Sequence, residues 1–283
     1  MRIRRGSLTG LLLVVLAWSG VTLGVSEASE DRVRWIVSAG GAYVGLNDLQ
    51  KGLEGWNAIW QRKGHSIIEG GFRPFRWGVH FGAEIAFHLG GPWWLGFETG
   101  FLSAGGESRR KVKVEDSVIS ERLTQNLGLF ARAIPLIFTG IVHGPLGRRV
   151  EYQVGFGAGA YWGRMDWSYD SQSMEFGTRA RVRWRGEALA PALQVRTGLS
   201  WRLGDGIWLS AEAVGRMASL RGLRGRLIEN DDTTENAVFW YDEGIGYHEI
   251  SFRALPPAGG DIREGRLELS GASLRIGLSF RLR

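Results

Sequence analysis

Charged side chains recur at alternate positions in several segments of the sequence, and they share a parity with glycine. Glu84, for example, follows Gly82 by two positions and is flanked by Ala83 and Ile85. Alternate side chains of an extended chain point to the same side, so these groups would face a common interior in a closed sheet. Burying either sign of charge alone is very costly, so paired carboxylates and guanidiniums are the expected chemistry. The predicted interior network comprises Glu84, Glu98, Arg132, Glu151, Arg196, Glu212, Arg216 and Arg275.

The same residues allow a second interpretation, a gated polar pore. The interior of an eight-stranded barrel is just wide enough for side chains to fill, which favours a closed core.

His80, Glu84 and His88 also share one face. Positions four apart on a strand are separated by ~13 Å, too far to hold one ion, so no metal site is expected.

A row of arginines alternates with small or apolar residues between positions 179 and 185. Its members are Arg179, Arg181, Arg183 and Arg185. An extended segment would place all four on one side, and guanidinium forks match phosphate oxygens. The row therefore predicts a phosphate-binding face, with ordinary solvated charge as the alternative. A second basic cluster comprises Arg109, Arg110, Lys111 and Lys113.

Segments with period-2 alternation must position these groups. Between residues 75 and 89, Trp77, Val79 and Phe81 fall on one side, and His80 and Glu84 on the other. This alternation is typical of a strand with one apolar face. It predicts about eight strands, at residues 34–43, 75–89, 93–101, 123–138, 150–162, 189–203, 207–216 and 271–283.

One of these strands has a less regular pattern, residues 123–138. Its parity is set by Leu127 and Leu129, assigned outward with Ala131, against Gly128 and Arg132, assigned inward. In the other strands the polar residues share the glycine parity and the aromatic residues the opposite one. A soluble lipocalin-like barrel would need the reverse arrangement, so the pattern predicts a barrel whose outer face contacts lipid.

The connections between the predicted strands alternate between short and long. Those after the second, fourth and sixth strands are short, and those after the first, third, fifth and seventh are long. A barrel inserted from the periplasm has this alternation, with long loops outside the cell and both termini periplasmic.

Residues 46–64 break the strand pattern with apolar residues at helical spacing. They predict a short amphipathic helix in the first outer loop, either a lid over the barrel mouth or a helix lying on the outer leaflet.

The composition fits one secreted, cysteine-free domain. The chain has 283 residues, 44% of them hydrophobic, and no internal run approaches the ~20 apolar residues of a transmembrane helix. Residues 1–28 carry an arginine-rich start, an apolar stretch and Ser26-Glu27-Ala28, which predicts a signal peptide rather than an anchor helix. Residues 29–283 are then one barrel. Zero cysteines exclude disulfides and thiolate metal sites.

The C-terminal segment carries a recognisable motif, Arg275-x-Gly277-x-x-Phe280-x-Leu282. It resembles the C-terminal signal of outer-membrane β-barrel proteins, which implies recognition of Gly277, Phe280 and Leu282 by the outer-membrane assembly machinery. The usual terminal aromatic residue is replaced here by Leu282 followed by Arg283. The whole pattern resembles the small barrels of the OmpA/OmpW-like class. The resemblance implies an all-β protein, a single antiparallel up-and-down transmembrane barrel of about eight strands.

Such barrels include anchors, adhesins, channels and lipid A-modifying enzymes, so the fold does not choose the function. A structural or binding-type barrel is favoured, with outer-membrane lipid as partner and with the arginine row contacting lipopolysaccharide. Register alone places Arg185 roughly 18 Å above the hydrocarbon boundary. A narrow channel for small solutes or hydrophobic molecules is the alternative, and a lipid A-modifying enzyme is the least favoured. No enzymatic activity, cofactor or nucleic-acid partner is expected, because no corresponding motif is present.

Overall fold

The computed structural model describes residues 32–62, 65–73, 75–115, 120–242, 249–257 and 261–282. The predicted signal peptide, residues 1–28, lies outside the described residues. The described chain forms β1 (Val33–Val44), α1 (Asn47–Arg62), β2 (Ser66–Gly70), β3 (Trp77–Gly90), β4 (Trp93–Glu115), β5 (Ser120–Pro145), β6 (Val150–Ser173), β7 (Arg179–Gly204), β8 (Ile207–Arg221), β9 (Arg224–Glu229), β10 (Asp232–Asp242), β11 (Glu249–Arg253), β12 (Ile262–Glu264), β13 (Arg266–Glu268) and β14 (Gly271–Leu282). Within those residues, no helix has the length and apolar character needed to cross a membrane.

Eight of the strands close into a ring of antiparallel pairs. The order is β1, β3, β4, β5, β6, β7, β8 and β14, and β14 pairs with β1 to complete the ring. The β1–β14 pairing joins Val33 to Leu282 at one end and Val44 to Gly271 at the other. The predicted all-β antiparallel fold is thereby confirmed.

The register of the ring fixes the slope of its strands. Stepping from Val33 to its partners around the ring leads back to β1 at Tyr43, ten residues further along the same strand. Eight strands ~4.8 Å apart and a stagger of ten residues of ~3.3 Å give a tilt of about 40°. Each residue then rises about 2.5 Å along the ring axis. The height of any side chain can be read from its position on a strand.

The two ends of the ring differ. The lower end, where β1 begins and β14 ends, has tight connections between β3 and β4, β5 and β6, and β7 and β8. The first uses Gly90 and Gly91 at φ 118° and 54°, which glycine adopts without strain. At the upper end, β4 to β7 continue well beyond their neighbours. We call this extension the wing, residues 103–115, 120–132, 164–173 and 179–187 together with β9, β10 and β11, which extend its sheet from β7.

The wing is where the strand predictions were too short. The sequence pattern assigns residues 102–122 and 163–188 mostly to loops, yet the described residues 102–115, 120–122, 163–173 and 179–188 are the upper halves of paired strands. The Asn230-Asp231 turn between β9 and β10 has positive φ at both residues, as a tight hairpin requires. Strands β2 and β9–β13 were likewise not predicted.

Helix α1 packs into the upper mouth of the ring. Its apolar residues recur every three or four positions, and Leu49 and Leu53 are fully buried, as is Leu46 just before the helix. Asp48 lies in its first turn, where a negative charge complements the helix dipole. The predicted helix at residues 46–64 is thus present at Asn47–Arg62, inside the mouth rather than against the outer face.

The main apolar core lies at this upper level, between α1 and the inner faces of the ring and wing. Trp56 of α1 packs edge-on against Trp167, with ring centroids 5.4 Å apart, and Trp184 stacks on Phe252 at 4.6 Å. The interior of the ring therefore has two levels, a polar one below and an apolar one above.

Candidate functional site

The polar level of the interior is built around a bidentate ion pair. Arg196 Nη1 donates to Glu84 Oε2 at 2.6 Å, and Nη2 donates to Oε1 at 2.7 Å. Thr139 Oγ1 donates to the same Oε1 at 2.6 Å. The three residues come from β7, β3 and β5, so the pair spans the ring rather than joining adjacent strands.

A second arginine connects the other two buried carboxylates. Arg275 Nη1 donates to Glu98 Oε1 at 2.5 Å, and Nη2 donates to Glu212 Oε2 at 2.8 Å. Gln194 Nε2 donates to Glu98 Oε2 at 2.7 Å, and Gln153 Nε2 donates to Glu212 Oε1 at 2.5 Å. Each of these carboxylate oxygens thus accepts a hydrogen bond, which is the condition for stable burial of charge.

Glycine at the inward parity makes room for these long side chains. A Cβ at Gly96 would lie 2.4 Å from Glu84 Oε1, and one at Gly82 would lie 2.8 Å from Arg275 Nη1. The gap beside Ser38 leaves no space for a water molecule. The network and its glycines therefore fill the ring at this level.

Two other predicted members lie apart from this network. Glu151 is bonded to Arg281, which sequence reasoning did not single out, near the lower end of the ring. Arg216 lies above the network and donates to Ser273 Oγ at 2.6 Å and to the carbonyl oxygens of Leu269 and Tyr43 at 3.0 and 2.8 Å. Backbone oxygens thus satisfy a buried guanidinium at the top of the polar level.

The inward assignment of Arg132 is wrong. Its side chain is exposed on the outer face of β5, with Nη1 3.9 Å from Asp166 Oδ2, whereas Leu127 and Leu129 are buried inside. At this height the interior is the apolar core and the outer face is polar. The relation between polarity and direction that holds lower in the ring is reversed.

His80, Glu84 and His88 all lie on the inward face of β3, but each has its own contacts at a different height in the ring. His80 Nδ1 lies 3.0 Å from Ser273 Oγ, and His88 Nε2 lies 2.8 Å from the Gly91 carbonyl oxygen at the lower turn. Among the described residues, no group of three histidine, aspartate or glutamate side chains is arranged to hold a metal ion.

The outer face of the ring is apolar over a defined height. Trp77 and Phe87 face outward on β3, and Tyr152 and Trp162 do so on β6. Each pair is ten residues apart, which corresponds to about 25 Å along the ring axis. Aromatic side chains thus mark an upper girdle (Tyr43, Trp77 and Trp162) and a lower girdle (Trp35, Phe87, Trp93, Tyr152, Trp201 and Phe280).

Between the girdles, the outward residues of the eight described ring strands carry no charge. Many are large and exposed, for example Phe138 at 65% and Leu193 at 53%. An apolar band ~25 Å tall, bounded by aromatic girdles, is the outer surface typical of membrane-spanning barrels.

The arginine row lies on the wing, above this band. Arg179, Arg181, Arg183 and Arg185 are all exposed and occupy the outer face of β7. Asp170 on β6 pairs with Arg179 and lies 3.6 Å from Arg181 Nε, and Arg185 Nε donates to Asp166 Oδ1 at 2.7 Å. From the register, the row extends from about 13 to about 28 Å above the upper girdle.

Arginines lower the pKa of two carboxylates on the wing. The hydrogen bond from Arg179 holds the pKa of Asp170 below its ordinary value, and the charge of Arg181 adds to the effect. Burial raises the pKa of Asp166, but hydrogen bonds from Arg164 and Arg185 outweigh it and leave the pKa lowered. The sequence singled out neither carboxylate nor Arg164, because only the strand register brings them together.

Polar contacts also fasten α1 in the mouth. Asp48 accepts from Arg263 Nη1 at 2.6 Å and from Nη2 at 2.8 Å. Arg110 donates to Asn57 Oδ1 at 2.9 Å and lies buried inside the wing, where burial lowers its pKa to about 10. The basic cluster at 109–113 is therefore divided, because successive residues of β4 point to opposite faces.

The residues of the C-terminal motif lie in β14, against β1. Phe280 and Leu282 are exposed on the outer face at the lower end. Gly277 faces inward opposite Ser38, and a Cβ there would lie 2.8 Å from the Val37 carbonyl oxygen. Recognition of these residues by assembly machinery stays a prediction.

Comparison with known proteins gives limited information. No protein-family model matches the chain, and no curated protein sequence matches it. Among solved structures, the chain is similar to the outer membrane protease OmpT from Escherichia coli, at 10% identity and a TM-score of 0.29 over 92% of this chain and 100% of that one. A likeness at this level does not assign an activity to this chain.

This likeness nonetheless bears on one expectation. The sequence contains no recognised catalytic motif, and no enzymatic activity was expected. The similarity to a protease contradicts that exclusion, which is withdrawn. The resemblance to the OmpA/OmpW-like class is not confirmed by the comparisons and stays a prediction.

Proposed function

We propose that this protein is an outer-membrane β-barrel with a closed lumen and a structural or binding role at the cell surface, where its wing contacts lipopolysaccharide. The observation that carries the membrane assignment is the uncharged outer band between two aromatic girdles about 25 Å apart. A ring in soluble surroundings would leave this band exposed to water, whereas a bilayer covers it.

The proposed orientation puts the wing outside the cell and the lower end in the periplasm. The tight turns lie at the lower end, whereas the wing, helix α1 and the segment from β9 to β13 lie above. Barrels inserted from the periplasm have short periplasmic turns and longer outer loops. In this orientation the arginine row stands at the height of the phosphorylated sugars of lipopolysaccharide.

The binding role is supported by the charge of the row. Asp170 and Asp166 contact three of the four arginines, and four cations face two carboxylates. Guanidinium groups bind phosphate through paired hydrogen bonds, so an excess of positive charge at this height suits a polyanionic saccharide. The sequence-based partner, lipopolysaccharide, remains the best candidate.

A closed lumen is favoured over a channel. The network of Glu84, Glu98, Arg196, Glu212 and Arg275 joins opposite walls of the ring, and α1 fills the mouth above it. An open pore would need both obstructions to move. The narrow channel is the competing function, and electrical recording distinguishes the two.

The test uses the full mature chain refolded in detergent and in lipid bilayers. A closed barrel is expected to migrate faster in unboiled than in boiled gel samples, and to give no steady ion conductance. Replacement of Arg179, Arg181, Arg183 and Arg185 by Gln is expected to weaken lipopolysaccharide binding and its salt dependence, with the gel shift unchanged. Identical gel mobility with extraction by high salt would overturn the membrane assignment, and steady conductance would overturn the closed lumen.

A further inference from the structure

A second basic site lies lower on the outer face, at the edge of the apolar band. Arg132 on β5 and Arg164 on β6 are directly opposite each other. Like charges in this position repel, so the arrangement is unfavourable unless an anion lies between them. Arg164 Nη2 lies 3.0 Å from Asp166 Oδ1 and Arg132 Nη1 lies 3.9 Å from Oδ2, while Arg185 also donates to Asp166. Three guanidiniums thus surround one carboxylate.

The neighbouring strands do not remove this excess of positive charge. Two successive rows across β5, β6, β7 and β9 hold five arginines and two carboxylates: Arg132, Arg164, Glu187 and Arg224 in the lower row, and Phe130, Asp166, Arg185 and Arg226 in the upper row. Arg226 also pairs with Glu235, at 2.8 Å. These described residues leave a surplus of two positive charges on a small area of sheet.

The surface directly below is apolar. Trp162 lies two residues below Arg164 on β6, and it is opposite Ile134 on β5 and Leu189 on β7. Trp162 and Leu189 are exposed on the outer face. Two residues correspond to about 5 Å of height, so Arg132 and Arg164 stand just above the upper girdle. Arg185 lies about 13 Å above the girdle and reaches down to the same carboxylate, Asp166.

From this juxtaposition we propose that Arg132, Arg164 and Arg185 bind a phosphate covalently attached to membrane-embedded acyl chains, as in the phosphorylated headgroup of lipid A. The ligand must offer an anion and a hydrocarbon surface within a few ångströms of each other. A phosphorylated lipid does so at the boundary of the hydrocarbon region, and a free anion offers only the first. The inference rests on the proposed membrane orientation, and its site is separate from the upper part of the arginine row.

Asp166 positions the guanidiniums and competes with the ligand for them. Its carboxylate orders Arg164 and Arg185, but its charge repels an incoming phosphate. Replacing Asp166 with Asn keeps the shape and removes the repulsion. Asp166→Asn is therefore expected to bind the phosphorylated lipid more tightly than the wild type, whereas a purely structural role for the cluster predicts no gain.

The experiment measures binding of purified lipid A, dephosphorylated lipid A and inorganic phosphate to the refolded full chain in detergent. Arg132→Gln/Arg164→Gln is compared with Arg179→Gln/Arg181→Gln, which removes the same charge from the upper part of the row. The first variant is expected to lose at least about tenfold in affinity for lipid A, since charge-assisted hydrogen bonds are the strong ones. The control, whose arginines stand too high to reach lipid A, is expected to keep it.

The outcomes separate this inference from the proposed function. Equal affinity of wild type and Arg132→Gln/Arg164→Gln for lipid A, with both gel shifts intact, overturns the site alone. Binding that does not distinguish phosphorylated from dephosphorylated lipid, or that inorganic phosphate displaces at equal concentration, also overturns it. If Arg132→Gln/Arg164→Gln fails to refold, Arg132→Lys/Arg164→Lys, which keeps the charge but loses the paired geometry, is expected to bind lipid A with intermediate affinity. Full wild-type affinity in that variant would overturn the site. Loss of the heat-dependent gel shift in the wild type would instead refute the membrane barrel itself.

Discussion

Glu212 and Arg275 lie directly opposite each other on β8 and β14, and their side chains form an ion pair of 2.8 Å inside the ring. Both side chains are almost completely buried. Glu212 also accepts a hydrogen bond from Gln153, so its carboxylate joins three strands. This residue offers the most direct test of the interior network.

Truncating Glu212 to Ala is expected to destabilise the refolded protein by about 3–5 kcal/mol, the cost of leaving a buried charge without its partner. The measurement is urea unfolding in lipid vesicles, followed by tryptophan fluorescence. Glu235→Ala is the matched control, because it removes a carboxylate from an exposed pair with Arg226 and is expected to cost about 0–1 kcal/mol. Similar losses in the two variants would show that the interior pair is not specially buried.

The apolar band predicts a depth-dependent response to charge. Val195 lies near the middle of the band on β7, and Leu189 lies at its upper edge. Val195→Arg is expected to cost about 2–4 kcal/mol of stability and Leu189→Arg about 0–1 kcal/mol, measured in lipid vesicles. If water rather than lipid covered the band, the cost of a charge would not depend on its height. Equal costs for the two variants would therefore count against a bilayer around the ring.

Helix α1 is expected to loosen when its first-turn contact is removed. Asp48 accepts two hydrogen bonds from Arg263 and one, at 3.0 Å, from the backbone N–H of Arg266. Hydrogen bonds to charged groups contribute about 1.5–3 kcal/mol, so Asp48→Asn is expected to speed hydrogen exchange of the helix amides at least about tenfold. Exchange in β4 to β7 at membrane height is expected to stay unchanged. Unchanged exchange in the helix would mean that apolar packing of Leu49 and Leu53 alone holds it.

Acid is expected to loosen the tip of the wing. Arg179 holds the pKa of Asp170 below its ordinary value of 3.8. A carboxylate with a lower pKa in the folded state contributes stability that is fully present above its unfolded pKa and is lost as the pH falls through its folded pKa. Pepsin is therefore expected to cut the 174–178 connection faster below about pH 4. This rise in the cleavage rate is expected to be larger in the wild type than in Asp170→Asn, measured at the same pH. Parallel pH profiles for the two proteins would refute this contribution.

The eight-strand pattern could be predicted because, at the height of the apolar band, the outward direction of a residue follows from its own apolar character. Phe81 and Leu193 need no particular partner to be placed correctly. The error at Leu127 and Leu129 arose because the environment changes with height. Above the upper girdle the interior is apolar and the outside is wet, so the same polarity pattern indicates the opposite direction.

The pairings within the site could not be predicted from the sequence. Arg196 and Glu84 stand 112 positions apart, and their contact depends on the register of several intervening strands. The Arg132–Arg164 juxtaposition depends on register too, and the assignment of Arg132 to the interior concealed it. Periodicity gives the face of a residue, whereas its partner follows only from closure of the whole ring.

The seam between β1 and β14 sets a condition on how the ring forms. Each other junction of the ring joins strands closer in the chain, whereas this one joins Val33 to Leu282. Contacts between such distant residues are slow to form because the intervening chain must be ordered first. Until β14 arrives, β1 and β8 both present unpaired edges, which can pair with another chain. A chain shortened before Gly271 would keep both edges open permanently, so loss of only the last strand is expected to replace ring closure by aggregation.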